Sequence, residues 1–160
     1  LRDFELPIYD GDLEEQCGLP RAAIELRYLF RNNDALIISS PEYNHSFSPV
    51  LKNMIDWVSR RADGEDYREF FAGKFAVLMS ASPGNSGGIR GLPHLRQVLT
   101  LLGVHVLDDQ ITIGKHSQAF AENGSLADPQ QQAAVDALIH NMISKIFRSV
   151  EPEKSNVAFG

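Results

Sequence analysis

The chain has 160 residues, of which 43% are apolar and 22% charged, and its net charge is −6. One ordinary globular domain is expected, large enough to build a core without staples. The acidic balance argues against a general nucleic-acid binder, no apolar run approaches the ~20 residues of a membrane span, and the single Cys17 excludes an internal disulfide framework or a Cys-rich zinc site.

The first residues, Leu1-Arg-Asp-Phe4, read as the end of a strand. Pro7 and Asp10-Gly11 then carry turn chemistry, and Cys17 falls in a polar loop with no base beside it, which suits an inert thiol. A helix is expected from Arg21 to about Phe30 on the apolar set Ile24, Leu26, Leu29 and Phe30, closed by Asn32-Asn33-Asp34 with an asparagine in the left-handed conformation. Ala35–Ser40 is a short apolar run that reads as a strand buried on both faces. Residues 41–47 form a loop. Ser48-Pro49 starts a helix with a favoured cap and a proline at its first position. Val50, Leu51, Met54, Ile55 and Val58 make its apolar stripe, and Arg60-Arg61 suit its negative end. Trp57 interrupts the polar face of this helix and is read as a subunit contact rather than as core.

Phe75–Ser80 is a second buried strand, followed by the small-residue loop Ala81–Gly88. Ile89, Leu92, Leu95, Val98, Leu99 and Leu102 mark a helix stopped by Gly103. A third strand pattern runs from Val104 to Ile113, with Asp108-Asp109 as an interruption or bend. After a polar loop from Ser117 to Asp128, Val135, Leu138, Ile139, Met142 and Ile146 mark a long final helix. Residues 1–150 are expected to form the domain and 151–160 a polar tail. Strands alternating with helices mean an α/β parallel sheet covered on both faces. Ligands in such sheets bind beyond the carboxyl ends of the strands, which singles out loops 41–48 and 81–88.

Loop 81–88 has glycines that let a backbone approach a ligand and aim its N–H groups at a phosphate or a flat heteroaromatic edge; a plain flexible connection is the alternative. It is neither a Walker motif nor a dinucleotide fingerprint. Gly84-Asn-Ser86-Gly-Gly88 matches G-x-S-x-G formally, and Asp109 with His116, or Asp128 with His140, would be its triad partners. Against a serine hydrolase, Ser82-Pro83 separates the strand from the elbow. Loop 41–48 groups Glu42, Tyr43, Asn44 and His45, an aromatic with hydrogen-bonding neighbours that suits a planar ligand. The five histidines show no H-x-x-H or H-E-x-x-H spacing, so no metal site is expected.

Ser40-Pro-Glu-Tyr-Asn-His-Ser46, followed by Pro49-Val-Leu-Lys-Asn-Met-Ile-Asp-Trp-Val-Ser-Arg60, closely resembles the signature of the NAD(P)H-dependent FMN reductases. Ser80-Ala-Ser-Pro-Gly84 through Gly87-Gly88 resembles that family's second flavin loop, as do Leu95-Arg96 and Leu102-Gly103 beyond it. Leu1–Phe4 and Leu6-Pro-x-Tyr-Asp resemble its second strand and the loop after it.

The resemblance implies a flavodoxin-like three-layer α/β/α fold with strand order 2-1-3-4-5. It implies bound FMN, with NADPH or NADH as hydride donor, and flavin, quinone, azo or metal-oxyanion acceptors. Pro41, Glu42, Tyr43 and Asn44 would line the FMN, mainly through backbone and the Tyr43 ring, His45 would lie beside its ring system, and Ser82, Gly84 and Gly87 would meet its pyrimidine edge. The flavin carries the hydride, so no catalytic side-chain pair is needed. A cytoplasmic homodimer or homotetramer acting on small molecules, with neither nucleic acid nor membrane as partner, is the expected setting. A flavin-binding electron carrier without turnover is the second reading. The family's phosphate loop, G-S-x-R-x-x-S/T, does not occur in this sequence. Strand 1, that loop and helix 1 would precede Leu1, a unit on the order of 30 residues. The expectation is therefore a sheet with a gap at its middle, or another segment in that slot.

Overall fold

Strand β4 (Phe75–Ala81) is the axis of the molecule, because both its edges and both its faces are used. It pairs in parallel with β1 (Ala35–Ser39) on one side and with β5 (His105–Ile113) on the other. Its side chains alternate between two cores, as the two-residue strand period requires. Ala76 and Leu78 face α2 (Arg21–Arg31), α3 (Pro49–Val58) and α4 (Gly91–Leu101), where Leu26, Phe30, Ile55, Val58, Leu95 and Leu99 pack. Val77 faces α5 (Pro129–Val150), meeting Leu138 and Met142. The structure is a computed structural model that describes residues 1–62 and 64–150, so the expected tail 151–160 lies outside the described residues.

The α/β fold with a parallel sheet is as expected, and the predicted helices and strands fall within one or two residues of their expected ends, but β1 is not buried on both faces as expected: none of its residues is fully buried. For α3 the reason is local. The Ser48 side chain accepts the Leu51 N–H at 3.3 Å and Pro49 opens the helix. At its other end Ser59 is the cap, and Arg60 Nε donates to the Asp56 carbonyl at 2.6 Å. The seam between α2 and α3 is locked by buried Arg27, which donates from Nε to the Val58 carbonyl at 3.1 Å, pairs with Glu65, and also reaches the Arg60 carbonyl. Burial pushes this guanidinium below its usual pKa, and Glu65 pulls it part of the way back.

Other expectations need correction as well. Leu1–Phe4 is a turn, with Phe4 N–H donating to the Leu1 carbonyl at 3.1 Å, and not the end of a strand. A strand exists only through a ladder, and this segment lies along α3 instead, its Phe4 and Leu6 packed on the core there. Asn32 caps α2 at φ −96 rather than in the left-handed region, because the Asn32 and Asn33 side-chain amides close the last carbonyls themselves, Tyr28 at 2.7 Å and Leu29 at 2.8 Å. Cys17 ends a short helix, α1 (Gly11–Cys17), started by the Asp10 side chain accepting the Asp12 N–H. Trp57 is fully buried and donates from Nε1 to the Pro7 carbonyl at 2.8 Å, with Tyr9 edge-on to its ring. It holds the 1–10 segment within this chain and is no subunit contact. Loop 41–47 contains two short strands, β2 (Glu42–Tyr43) and β3 (Ser46–Phe47), paired antiparallel.

The sheet has three strands in the contiguous order β1-β4-β5, so the expected gap at its middle is not found: with Leu1–Phe4 in no ladder, the open position lies at an edge, beside β1. Among the described residues nothing pairs with the outer edge of β1, and Ile37 on its α5-side face is 61% exposed. A hollow of about 410 Å³ runs along this strand, lined by Leu26, Leu29, Phe30, Met54 and Ile55 among others. Strand β5 carries the interruption expected at Asp108-Asp109. Ala76 pairs with Val106 and Leu78 with Gln110, so Val77 alone stands opposite three residues, 107–109. Two residues are thus extra, and Arg96 in α4 donates to the Val106 and Asp108 carbonyls at 3.2 and 3.1 Å.

Candidate functional site

The carboxyl ends of β1 and β4 open into two loops that meet. The base of the first is fixed by Ser40, which is buried: its N–H donates to the Met79 carbonyl at 3.0 Å and its Oγ accepts the Ser48 N–H at 3.1 Å. Between these ties β2 and β3 form a hairpin with Tyr43 opposite Ser46, leaving Asn44-His45 as a two-residue turn. Both have positive φ, 49° and 65°, as a type I′ turn requires. Asparagine tolerates that conformation; histidine does so at a cost, the kind of strain that gathers at functional sites. The turn carries Tyr43 out into solvent, 57% exposed, with His45 also exposed beside it.

The second loop runs from Ser82 to Arg90. Its first tie is Ser82 N–H to the Ile113 carbonyl of β5 at 3.0 Å, and the Gly84 carbonyl accepts from Lys115 N–H at 3.1 Å. Gly87 and Gly88 sit where no other residue fits. Both have positive φ, a Cβ on Gly87 would stand 2.8 Å from the Ile113 nitrogen, and one on Gly88 would land on Ser80 Oγ. That Ser80 hydroxyl is buried and has no hydrogen-bond partner. An orphan hydroxyl, two left-handed glycines and two left-handed non-glycines therefore lie within one small region.

The loops are joined by side chains. Glu42 Oε2 accepts the N–H groups of Arg90 at 2.8 Å and Gly91 at 3.1 Å, and its Oε1 lies 3.7 Å from His45 Nδ1. Arg90 Nη1 is 3.4 Å from the same His45 nitrogen. One step further out, His94 Nδ1 meets Ser46 Oγ at 3.3 Å.

Pro41, Glu42, Tyr43, Asn44 and His45 thus lie on one rim and Ser82, Gly84 and Gly87 on the other, both at the carboxyl edge of the sheet. Two of these residues have polar groups already engaged within the chain. The Glu42 carboxylate is spent on α4, and the Ser82 backbone N–H is spent on Ile113, so Ser82 offers only its hydroxyl, itself 3.4 Å from the Gly84 carbonyl. Arg90 was not singled out in the sequence. Its position directly after Gly87-Gly88-Ile89 was the available signal, hidden because Ile89 was read as the first helical residue. The triad alternative gains no support: His140 Nδ1 is bound to the Asp136 carbonyl of its own helix at 2.7 Å. Among the described residues no cluster of metal-ligating side chains occurs, and no helix is long and apolar enough to cross a membrane.

A family model described as NADPH-dependent FMN reductase matches residues 1–118. The NAD(P)H-dependent FMN reductase PA1204 of Pseudomonas aeruginosa is 37% identical over 131 residues, which is 81% of this chain and 68% of that protein. The quinone reductase of Escherichia coli K12 is 34% identical over 132 residues, 82% of this chain and 64% of that one. A probable NADPH:quinone oxidoreductase 2 of rice is 36% identical and matched over 60% of its length. The chain therefore spans about two thirds of the length of the curated relatives it matches. Among solved structures, the flavoenzyme NAD(P)H:(acceptor) oxidoreductase FerB of Paracoccus denitrificans superposes with a TM-score of 0.73 at 30% identity, over 88% of this chain and 76% of that one. An FMN-dependent NADH-azoreductase of Bacillus anthracis shares the fold, with a TM-score of 0.54 at 16% identity over 90% and 77% of the two chains.

Proposed function

The chain belongs to the NADPH-dependent FMN reductase family, and from that premise we propose that it is an NAD(P)H-dependent flavin oxidoreductase whose FMN site lies between the two loops. The observation that carries this reading is the convergence of the Tyr43 hairpin and the Gly87-Gly88 loop at the carboxyl edge of the sheet, tied together through Glu42. The residues present fit a flavin ring. An exposed aromatic stands on one rim, and on the other a backbone surface stripped of side chains leaves room for a flat edge.

Held by these residues, FMN would supply the hydride chemistry between NADPH or NADH and an acceptor. The chain's own part is to bind and orient. Tyr43 offers its ring face, and Pro41, Glu42, Asn44 and His45 line the ring through the hairpin backbone. Gly84 and Gly87 present backbone, and Ser82 its hydroxyl, to the pyrimidine edge. Quinones and free flavins are the acceptors that the names of the relatives favour; azo compounds and metal oxyanions belong to the same reading. Homodimer or homotetramer assembly in the cytoplasm completes it.

The test is a flavin fluorescence titration of the purified protein, followed by NADH and NADPH oxidation with a quinone or FMN as acceptor. Saturable FMN quenching with acceptor-dependent nicotinamide oxidation is the expected result. No quenching at any FMN concentration sinks the proposal. Flavin bound without nicotinamide oxidation would instead leave the electron carrier, and labelling of Ser86 by a fluorophosphonate would revive the hydrolase. Analytical ultracentrifugation checks the assembly.

A further inference from the structure

The geometry points to the Glu42 side chain as a positioning group that sets the second loop against the first by capping α4 across the site, while only the Glu42 backbone faces the flavin. This rests on the flavin reading above for its functional arm only.

Helix α4 begins without a cap of its own. Arg90 precedes it in helical conformation, φ −73 and ψ −26, and makes no side-chain cap bond. The first amides of such a helix have no partner within it, and its N-terminus carries partial positive charge. Glu42, 48 residues earlier, supplies what is missing. One carboxylate oxygen takes both the Arg90 and Gly91 N–H groups, at 2.8 and 3.1 Å. Bonds from backbone N–H to an ionised carboxylate are among the stronger ones available. The Glu42 side chain is only 13% exposed, so little of it faces solvent or a ligand.

The rest of the contact is shaped to the same end. Gly91 lies against the Ser46 backbone so closely that a Cβ would stand 3.0 Å from the Ser46 carbonyl, and one on Gly88 would stand 3.4 Å from Glu42 Cβ. The hairpin bearing Tyr43 and the loop bearing Gly87 are therefore held in register by one carboxylate and two close backbone approaches. Removing the carboxylate frees α4's first turn to move away from the hairpin, and the gap between the two rims widens.

Three substitutions separate positioning from a charge contact. In Glu42→Gln the reach and one acceptor oxygen persist while the charge is lost. In Glu42→Asp the charge persists while the reach shortens by about 1.5 Å, one carbon–carbon bond. Glu42→Ala loses both. Two readouts apply: amide hydrogen exchange resolved at Arg90 and Gly91, and the FMN dissociation constant. Expected for Ala and Asp is exchange at those two amides faster by about tenfold, with FMN affinity down by about tenfold, as the loss of a strong cap implies. Gln should stay within about threefold of the parent in both, and exchange of the β4 and β5 amides should be unchanged throughout, which reports an intact fold. If Gln keeps Arg90 and Gly91 protected yet loses as much FMN affinity as Ala, the carboxylate acts on the flavin itself and positioning is overturned. If exchange at Arg90 and Gly91 is unmoved in Ala, the cap is not what holds the loops and the proposal falls. Should the parent bind no FMN, the flavin reading fails by itself, and the exchange arm still decides the role of Glu42.

Discussion

The two ends of β4 are built on opposite principles. At its amino end every group has a partner. Phe75 N–H donates to the Asp34 carbonyl at 3.0 Å, the Lys74 carbonyl accepts from His105 N–H at 2.8 Å, and Lys74 Nζ reaches the Asn33 carbonyl at 2.7 Å. Even this buried lysine, its pKa pushed down by burial and pulled partly back by Asp34, is hydrogen-bonded. Phe71 and Phe30 pack edge-to-face just beneath. At the carboxyl end, a few residues along the same strand, the Ser80 hydroxyl is unpartnered and the two loops that follow β1 and β4 hold four residues with positive φ. Sequences that are consistent at every level fold well, and departures from consistency gather where function demands a shape that folding alone would not choose. The amino end serves stability, and the carboxyl end is where the flavin site is proposed.

The contrast is sharpened by substitutions at each end. The largest effect should come from Phe71→Ala at the stable end, about 3–5 kcal/mol lost from a fully buried ring, read as a lowered urea midpoint. Gly88→Ala comes next. Its methyl would collide with Ser80 in a backbone conformation that alanine resists, so a loss of about 2 kcal/mol is expected, together with loss of flavin binding. Tyr43→Ala should leave the urea midpoint where it was, because the ring is exposed, yet weaken FMN binding by roughly tenfold in a fluorescence titration. Flavin affinity unchanged by that substitution would take Tyr43 out of the site. The smallest effect belongs to Ser80→Ala. Removing a buried hydroxyl without a partner should be neutral or stabilising by about 1 kcal/mol in the same denaturation experiment, whereas a clear loss would mean the hydroxyl finds a partner in solution.

Legibility in the sequence followed the same division. Elements specified by local chemistry were readable: the Ser48-Pro49 start of α3, the apolar run of β4, the stripe of α4. The two site loops were readable from their place after strands, before any resemblance was invoked. What escaped was whatever depends on partners distant in the chain. The Leu1–Phe4 segment has strand-like composition but no ladder to join. Trp57 looked like a contact because its helix face is otherwise polar, and no pattern in the sequence announces that the Pro7 carbonyl and Tyr9 come back to cover it. The Asn44-His45 turn lacks the glycine that marks most such hairpins. The tie from the Glu42 carboxylate to the start of α4 has no signature in the sequence, since its partners lie 48 and 49 residues away.

The two extra residues in β5 have a consequence for the rim they precede. Two is an even number, so the strand comes out of its bulge with inside and outside unexchanged: Leu107 and Ile111 both belong to the α5 core, on either side of the interruption. Cutting out Asp108 and Asp109 together would leave Gln110–Ile113 in phase with Leu78–Ala81, and Ile113 would still hand its carbonyl to Ser82. Cutting out either aspartate alone would leave a one-residue bulge, which can absorb the odd residue through its own local kink. The bulge is thus the place where this strand can change length without moving the rim that Ile113 anchors.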